Sequence, residues 1–291
     1  MRFARFFLIF IALFVLASES NAAELRPQRI VSLTLGTDEI LLSLVEPHRI
    51  LAVTIYALDA NVSNVSETAK AVPKHIKNAG VETVVALEPD LVLAASYSSA
   101  DVIKQLKDLG LQVVILTRFS SLDGIYENIR IVARAVGEVE KAETIISEMQ
   151  QRLAMLAERV PEKSVRPVLL SYDISGWTAG SETTFDALVS LAGGRNLAAE
   201  SGIVGHKKIS LETVVAMNPE IMIFNTWTPD ASHSNAALIK HPALQSVSAV
   251  QNGRLHGVPG KHLTTVSHYI VQGVEAMTRL LYPKAFATKQ P

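Results

Sequence analysis

One stretch of this chain occurs twice. Val81-Glu82-Thr83-Val84-Val85-Ala86-Leu87-Glu88-Pro89-Asp90-Leu91-Val92-Leu93 returns as Leu211-Glu212-Thr213-Val214-Val215-Ala216-Met217-Asn218-Pro219-Glu220-Ile221-Met222-Ile223, at a constant offset of 130 residues (212 − 82) and without a gap. Glu, Thr, Val, Val, Ala and Pro are identical, and nearly every other pair exchanges like for like. Each copy predicts a short helix, a turn at Pro-Asp or Pro-Glu, and a buried strand. Repetition at this distance implies two lobes on one plan, with a glutamate at the matching place on each. Such a binder suits a partner that is itself doubled.

The first residues point to export. Arg2 and Arg5 precede an apolar run from Phe6 to Ala17, and Ser18 to Ala23 is small-residue sequence with Ser20 and Ala22 placed for cleavage after Ala22. This is the pattern of a secretory signal peptide, with an apolar core short of the roughly 20 residues a membrane span needs. The chain has no cysteine, which excludes disulfides, thiolate metal sites, a cysteine nucleophile and a lipid-modified cysteine. A periplasmic location is expected. The hydrophobic share of 48% is ample for two lobes of ordinary size. Without Arg2, Arg5 and Glu19 the 27 basic and 28 acidic residues become 25 and 27, a net charge of −2. No basic cluster suggests nucleic acid.

Strands alternate with helices along the mature chain. Arg29 to Leu33, Ile50 to Ile55 and Gln112 to Leu116 read as strands, with helices from Gly36 to Leu44 and from Ala100 to Leu109. The order argues for an α/β fold, each lobe a mainly parallel sheet flanked by helices. After Gly137 the apolar residues Ala142, Ile145, Ile146, Met149, Leu153, Leu156 and Val160 recur at helical spacing. This predicts one long helix joining the lobes, a rigid strut. The expected divisions are a signal peptide at 1–22, an N-terminal lobe at 23–136, the linking helix at 137–161, a C-terminal lobe at 162–284 and a tail at 285–291. In the second lobe, Val168 to Tyr172 reads as a strand, Phe185 to Ala192 and Thr264 to Leu281 as helices, and Asn252 to Val258 as turn plus strand.

With these features together, the chain resembles the periplasmic ferric-siderophore and cobalamin binding proteins of ABC importers, the helical-backbone class of binding protein. The resemblance runs from about Arg29 to Pro283. It is carried by Arg29-Ile30-Val31-Ser32-Leu33 with Thr37-Asp38-Glu39 behind it, the Glu82 and Glu212 blocks, and Asn252-Gly253-Arg254-Leu255-His256-Gly257-Val258. It implies capture of a metal chelate between the lobes and delivery to an inner-membrane permease dimer with its cytoplasmic ATPases. It also implies a monomer without a cofactor of its own. In that family a glutamate on each lobe meets arginines of the two permease copies, and Glu82 and Glu212 fall on those positions. A two-fold permease presents one basic patch twice, and charge pairs of this kind fix register and speed encounter.

Ligand is expected where loops at the carboxyl ends of the strands converge between the lobes. Those loops carry Tyr56 and Tyr97 in the first lobe, and Trp177 and Trp227, both tryptophans of the chain, in the second. Flat aromatic faces suit a macrocycle or an iron chelate. Arg118, His206, Lys207, Lys261 and His262 are placed to meet an anionic group. The competing ligands are heme, with Tyr56, Tyr97 or His75 as axial candidate, and bare zinc or manganese, for which only His206, His262 and His268 are of interest and no His-rich loop exists. An exported enzyme is the remote alternative: the sequence contains no Gly-x-Ser-x-Gly, phosphate-cradling loop or His-Glu-x-x-His.

Overall fold

Among the described residues nine parallel strands divide between two sheets. The computed structural model describes residues 26–162, 165–173, 175–226 and 240–287; the expected signal peptide and Trp227 lie outside them. The first sheet has strands β1 (Ile30–Ser32), β2 (Ile50–Thr54), β3 (Lys74–Ile76), β4 (Leu91–Ala95) and β5 (Val113–Leu116), in the order β3-β2-β1-β4-β5. β1 and β4 are buried along their whole length, as strands covered on both faces must be. The covering helices are α1 (Leu35–Leu44), α2 (Val81–Val85), α3 (Ala100–Asp108) and α4 (Leu122–Val136).

After α5 (Val139–Ala157) come β6 (Val168–Ser171), β7 (Trp177–Ala179), α6 (Thr184–Leu191), β8 (Arg195–Asn196) and β9 (His206–Lys208). The chain continues through α7 (Leu211–Met217), β10 (Ile221–Thr226), β11 (Leu255–Pro259), α8 (Gly260–Leu263) and α9 (Ile270–Leu281). The second sheet runs β11-β10-β6-β8, all parallel. Written from the other edge, β8-β6-β10-β11 repeats the plan β2-β1-β4-β5 of the first lobe. The pair β7 and β9 forms a separate antiparallel ribbon.

The sequence repeat is also a repeat of backbone geometry. α2 leads to β4 and α7 leads to β10, and Val84 and Val214 are both fully buried. The turn is made at Glu88 (φ 49°) and Asn218 (φ 43°), 130 residues apart and each just before the proline. Left-handed backbone at a non-glycine residue is uncommon, so its recurrence at the same step marks a conserved plan within the chain. Glu82 and Glu212 stand exposed in the first turn of their helices.

The linking helix, expected from Glu138 to Val160, runs from Val139 to Ala157, about 28 Å at the usual rise. Gly137 ends α4 in the left-handed conformation. Glu138 then meets the buried Arg49 at 2.8 Å. α5 buries Ala142, Ile146, Met149 and Leu156 on one stripe. That stripe belongs to one continuous apolar cluster reaching Ile30 and Leu93 in the first lobe and Leu188, Val274 and Met277 in the second. Polar ties follow the same division. Arg130 of α4 grips Glu143 at 2.7 Å, and Arg152 pairs with Glu275 of α9. Ala285 and Phe286, expected in a tail, are held instead: Arg159 donates to Ala285 O at 2.9 Å, and Arg279 stacks 4.3 Å over the Phe286 ring. The closing helix, expected from Thr264, begins at Ile270 because residues 264–267 turn towards the first lobe.

Because one cluster spans both lobes, Ile146→Ala should lower unfolding free energy by about 2–4 kcal/mol. Urea denaturation followed by circular dichroism should show a single transition moved to lower urea. A cost below about 1 kcal/mol, or two separate transitions, would contradict a shared core.

Candidate functional site

The carboxyl ends of the strands from both sheets open on a cleft of about 1360 Å³. The first lobe lines it with Leu33 to Gly36 after β1, Thr54 and Tyr56 after β2, Tyr97 to Ser99 after β4 and Phe119 after β5. The second lobe contributes Ser171 to Asp173 after β6, the ribbon residues Trp177 to Ala179 and His206, Asn225 of β10, and residues 263–266 after β11. This is the position at which α/β sheets generally bind ligands.

Large aromatics stand open on both walls. Tyr56, Tyr97 and Trp177 are 54, 61 and 43% exposed, which no packing role requires. Tyr97 lies against Phe119 with ring centroids 5.2 Å apart. Burial of its hydroxyl end raises the Tyr97 pKa above the usual phenol value, and the Thr34 hydroxyl pulls it back. Trp177 was expected in a loop. It opens β7, where it pairs with Lys208 of β9, whose ammonium lies 5.6 Å from the ring centroid. The turn before it is fixed by Asp173, whose Oδ1 accepts from the Ser175 hydroxyl at 2.8 Å and from Trp177 N at 3.0 Å. Gly176 (φ 87°) supplies the left-handed step of that turn.

The cleft floor is made by α1. Thr34 and Thr37 cap its start reciprocally, and Asp38 and Glu39 follow, both about 1% exposed or less. Glu39, marked in the sequence only as part of Thr37-Asp38-Glu39, has both carboxylate oxygens engaged. Its Oε1 accepts from the backbone and side-chain amides of Asn64 at 3.0 and 2.8 Å. Its Oε2 accepts from the hydroxyls of Thr265 at 2.7 Å and Ser267 at 2.6 Å. One carboxylate thereby joins the lobes. Asn64 also donates to Lys261 O at 3.0 Å, and Thr184 of α6 donates to Phe119 O at 3.0 Å. At Gly36 a Cβ would collide with Val266 Cγ2, so glycine permits this close approach of the lobes.

Asp38 sits behind the floor with Oδ2 accepting from Thr54 N at 3.1 Å and the Thr54 hydroxyl at 2.5 Å, while Oδ1 has no partner. Desolvation lifts its pKa from 3.8 to about 7, against the lowering effect of the Ser32 and Thr54 hydroxyls.

Of the residues expected at the ligand, Tyr56, Tyr97, Trp177 and His206 are brought together in the cleft. Arg118, Lys261 and His262 are not among its lining. Arg118 is exposed beyond it, and its carbonyl accepts from Asn128 at 2.5 Å. Lys261 meets the first lobe with its backbone, and the His262 imidazole is driven below its ordinary pKa by burial. Both stand on a short helix, α8, where a loop was expected. Lys207 occupies the ribbon opposite Thr178 and does not line the cleft. His268 is partly buried, and desolvation lowers its pKa to about 4, and His75 gives Nε2 to Ala69 O at 2.9 Å. Among the described residues no group of three or more His, Asp or Glu is placed to hold a metal ion.

A family model described as periplasmic binding protein matches residues 30–261. An uncharacterized ABC transporter substrate-binding lipoprotein of Bacillus subtilis, YvrC, is 29% identical over 269 residues, 89% of this chain and 82% of that protein. A cobalamin-binding protein of Halobacterium salinarum is 27% identical over 205 residues, 69% of this chain but 56% of its own length. In fold, the periplasmic heme-binding protein RhuT from Roseiflexus superposes with a TM-score of 0.78 at 24% identity, over 89% of this chain and 99% of that one. The chain belongs to the periplasmic binding protein family, the substrate-binding components of ABC importers, which are transport proteins and not enzymes.

The native fold holds the Asp38 proton where the unfolded chain has lost it. This contribution to stability is complete below 3.8 and is lost as pH rises through about 7. Urea denaturation at pH 5 and pH 8 should therefore show wild type losing stability relative to Asp38→Asn. Parallel pH profiles would contradict it. Glu39→Ala should cost at least about 3 kcal/mol, since several buried donors lose their charged acceptor together; a cost under about 1 kcal/mol in the same assay would remove Glu39 as the tie between lobes.

Proposed function

We propose that this chain captures a metal chelate in the periplasm, a ferric siderophore, another iron complex or cobalamin, and delivers it to an inner-membrane ABC permease dimer. The observation that carries this reading is the cleft: about 1360 Å³, with exposed aromatic faces on both walls. Ordinary small-ligand sites measure roughly 300–1,000 Å³. A bare ion needs a few converging ligands, whereas a macrocycle or wrapped chelate needs this width and flat apolar walls. Relatives named for cobalamin, Fe(3+) dicitrate and heme support the same range of ligands. In this reading the chain works as a monomer, with residues 1–22 removed after Ala22 and no resident cofactor.

Heme is the second reading, favoured by Tyr56 and Tyr97, whose phenols reach the cleft from one wall. A screen by tryptophan fluorescence and thermal shift with cyanocobalamin, ferric siderophores and heme separates the two. Trp177→Ala should weaken the bound chelate by about 1–3 kcal/mol; unchanged affinity for every chelate that binds would remove the ribbon from the site. A heme complex whose absorption spectrum loses its ligand-field bands in Tyr56→Phe or Tyr97→Phe would favour heme.

Glu82 and Glu212 dock the permease. They are exposed, repeat-related, and stand in the first turns of their helices. Glu82→Arg with Glu212→Arg should leave chelate affinity within about twofold, because both lie away from the cleft, and should abolish ligand-stimulated ATPase of the reconstituted importer. Normal stimulation would end the docking assignment.

A further inference from the structure

The character of the cleft narrows the ligand, on the reading that the cleft is the capture site. Carboxylates line it from both sides: Glu39 and Asp59 from the first lobe and Asp173 from the second. Asp59 and Asp173 each commit Oδ1 to a local turn, Asp59 accepting from Asn61 N at 2.9 Å and Asp173 from Trp177 N at 3.0 Å. Among the described residues no hydrogen bond engages Oδ2 of either.

Positive charge is placed elsewhere. Among the described residues His206 is the one basic side chain lining the cleft, and Lys208 stands over Trp177 outside the lining. Residues 227–239 contain Asp230 and His233 but no lysine or arginine. An anionic ligand entering here would be desolvated beside carboxylates, with no guanidinium to receive it. A ligand carrying amide or ammonium N–H groups would find open acceptors.

We infer that the cleft selects a metal chelate of neutral or positive overall charge that presents N–H donors, and discriminates against anionic chelates. Asp59 and Asp173 set this preference through their charge, and their unengaged Oδ2 atoms receive the ligand's donors.

The test is equilibrium titration of the purified chain, by quenching of tryptophan fluorescence, with chelates that differ in charge. Ferrioxamine B supplies a cation; ferrichrome and cyanocobalamin are neutral overall; ferric enterobactin, ferric dicitrate and heme are anions. At least one neutral or cationic chelate should bind about tenfold or more tighter than every anionic one, as expected for a few charges at moderate separation. Asp59→Asn with Asp173→Asn keeps the turn-forming Oδ1 acceptors and should reduce that ratio by about threefold or more. If the pair lowers the melting temperature, Asp59→Asn alone and the salt dependence of the ratio give the same readout, the ratio falling as salt screens the carboxylates. An anionic chelate binding as tightly as the neutral ones, or a ratio unmoved by both the substitutions and salt, overturns the inference and leaves the transport reading intact. Binding of none of these chelates overturns the metal-chelate reading, and this inference with it.

Discussion

A carboxylate taken out of water is stable only when its lone pairs are met, and Glu39 meets its own with donors from two lobes. Asn64 supplies the backbone and side-chain amides on one side, and Thr265 and Ser267 supply hydroxyls on the other. Removing either set leaves a buried charge half satisfied, so the bond network favours one spacing of the lobes. The cleft begins directly above it. Its width, the facing of Tyr97 and Trp177, and the close passage of Val266 over Gly36 all follow from where this floor holds the two sheets. The stripe of α5 secures the same spacing at the back, by burying Ala142, Ile146, Met149 and Leu156 in a core common to both lobes.

Much of this plan is legible in the residues. The thirteen-residue repeat gives the helix, turn and strand of each lobe, and the left-handed Glu88 and Asn218 show that it extends to backbone conformation. The apolar spacing of α5 gives a linking helix correct to within three residues at its C-terminal end. Tyr56, Tyr97, Trp177 and His206 are recognisable because they follow strands in loop-like sequence. The rest depended on contacts far apart in the chain. Thr37-Asp38-Glu39 reads as an ordinary acidic helix start, the usual complement to the dipole. Only the return of residues 264–267 across the lobe boundary makes Glu39 a buried tie. The ribbon of β7 and β9 is invisible for a similar reason: His206-Lys207-Lys208 is too short and too polar to carry a strand pattern, and its partner fixes it. Arg118, Lys261 and His262 are not among the cleft lining; Arg118 precedes the turn into α4, and Lys261 and His262 stand on α8.

The function rests on the same division of labour. The sheets supply rigid carboxyl ends, the loops supply aromatic faces and hydrogen-bond acceptors, and the repeated glutamates sit on the outer helices away from both. The relatives named for cobalamin, molybdate and Fe(3+) dicitrate share one family with this chain. Ligand class is accordingly a property of the few side chains lining the cleft.

If the floor carboxylate and α5 fix the lobes, ligand should enter a cleft already near its working width. Small-angle scattering of the chain with and without a saturating chelate tests this most directly. The radius of gyration should stay the same within the error of the measurement. A contraction of more than about 1 Å, as produced by wide hinge closure around a ligand, would contradict a fixed spacing and the role of Glu39 in setting it.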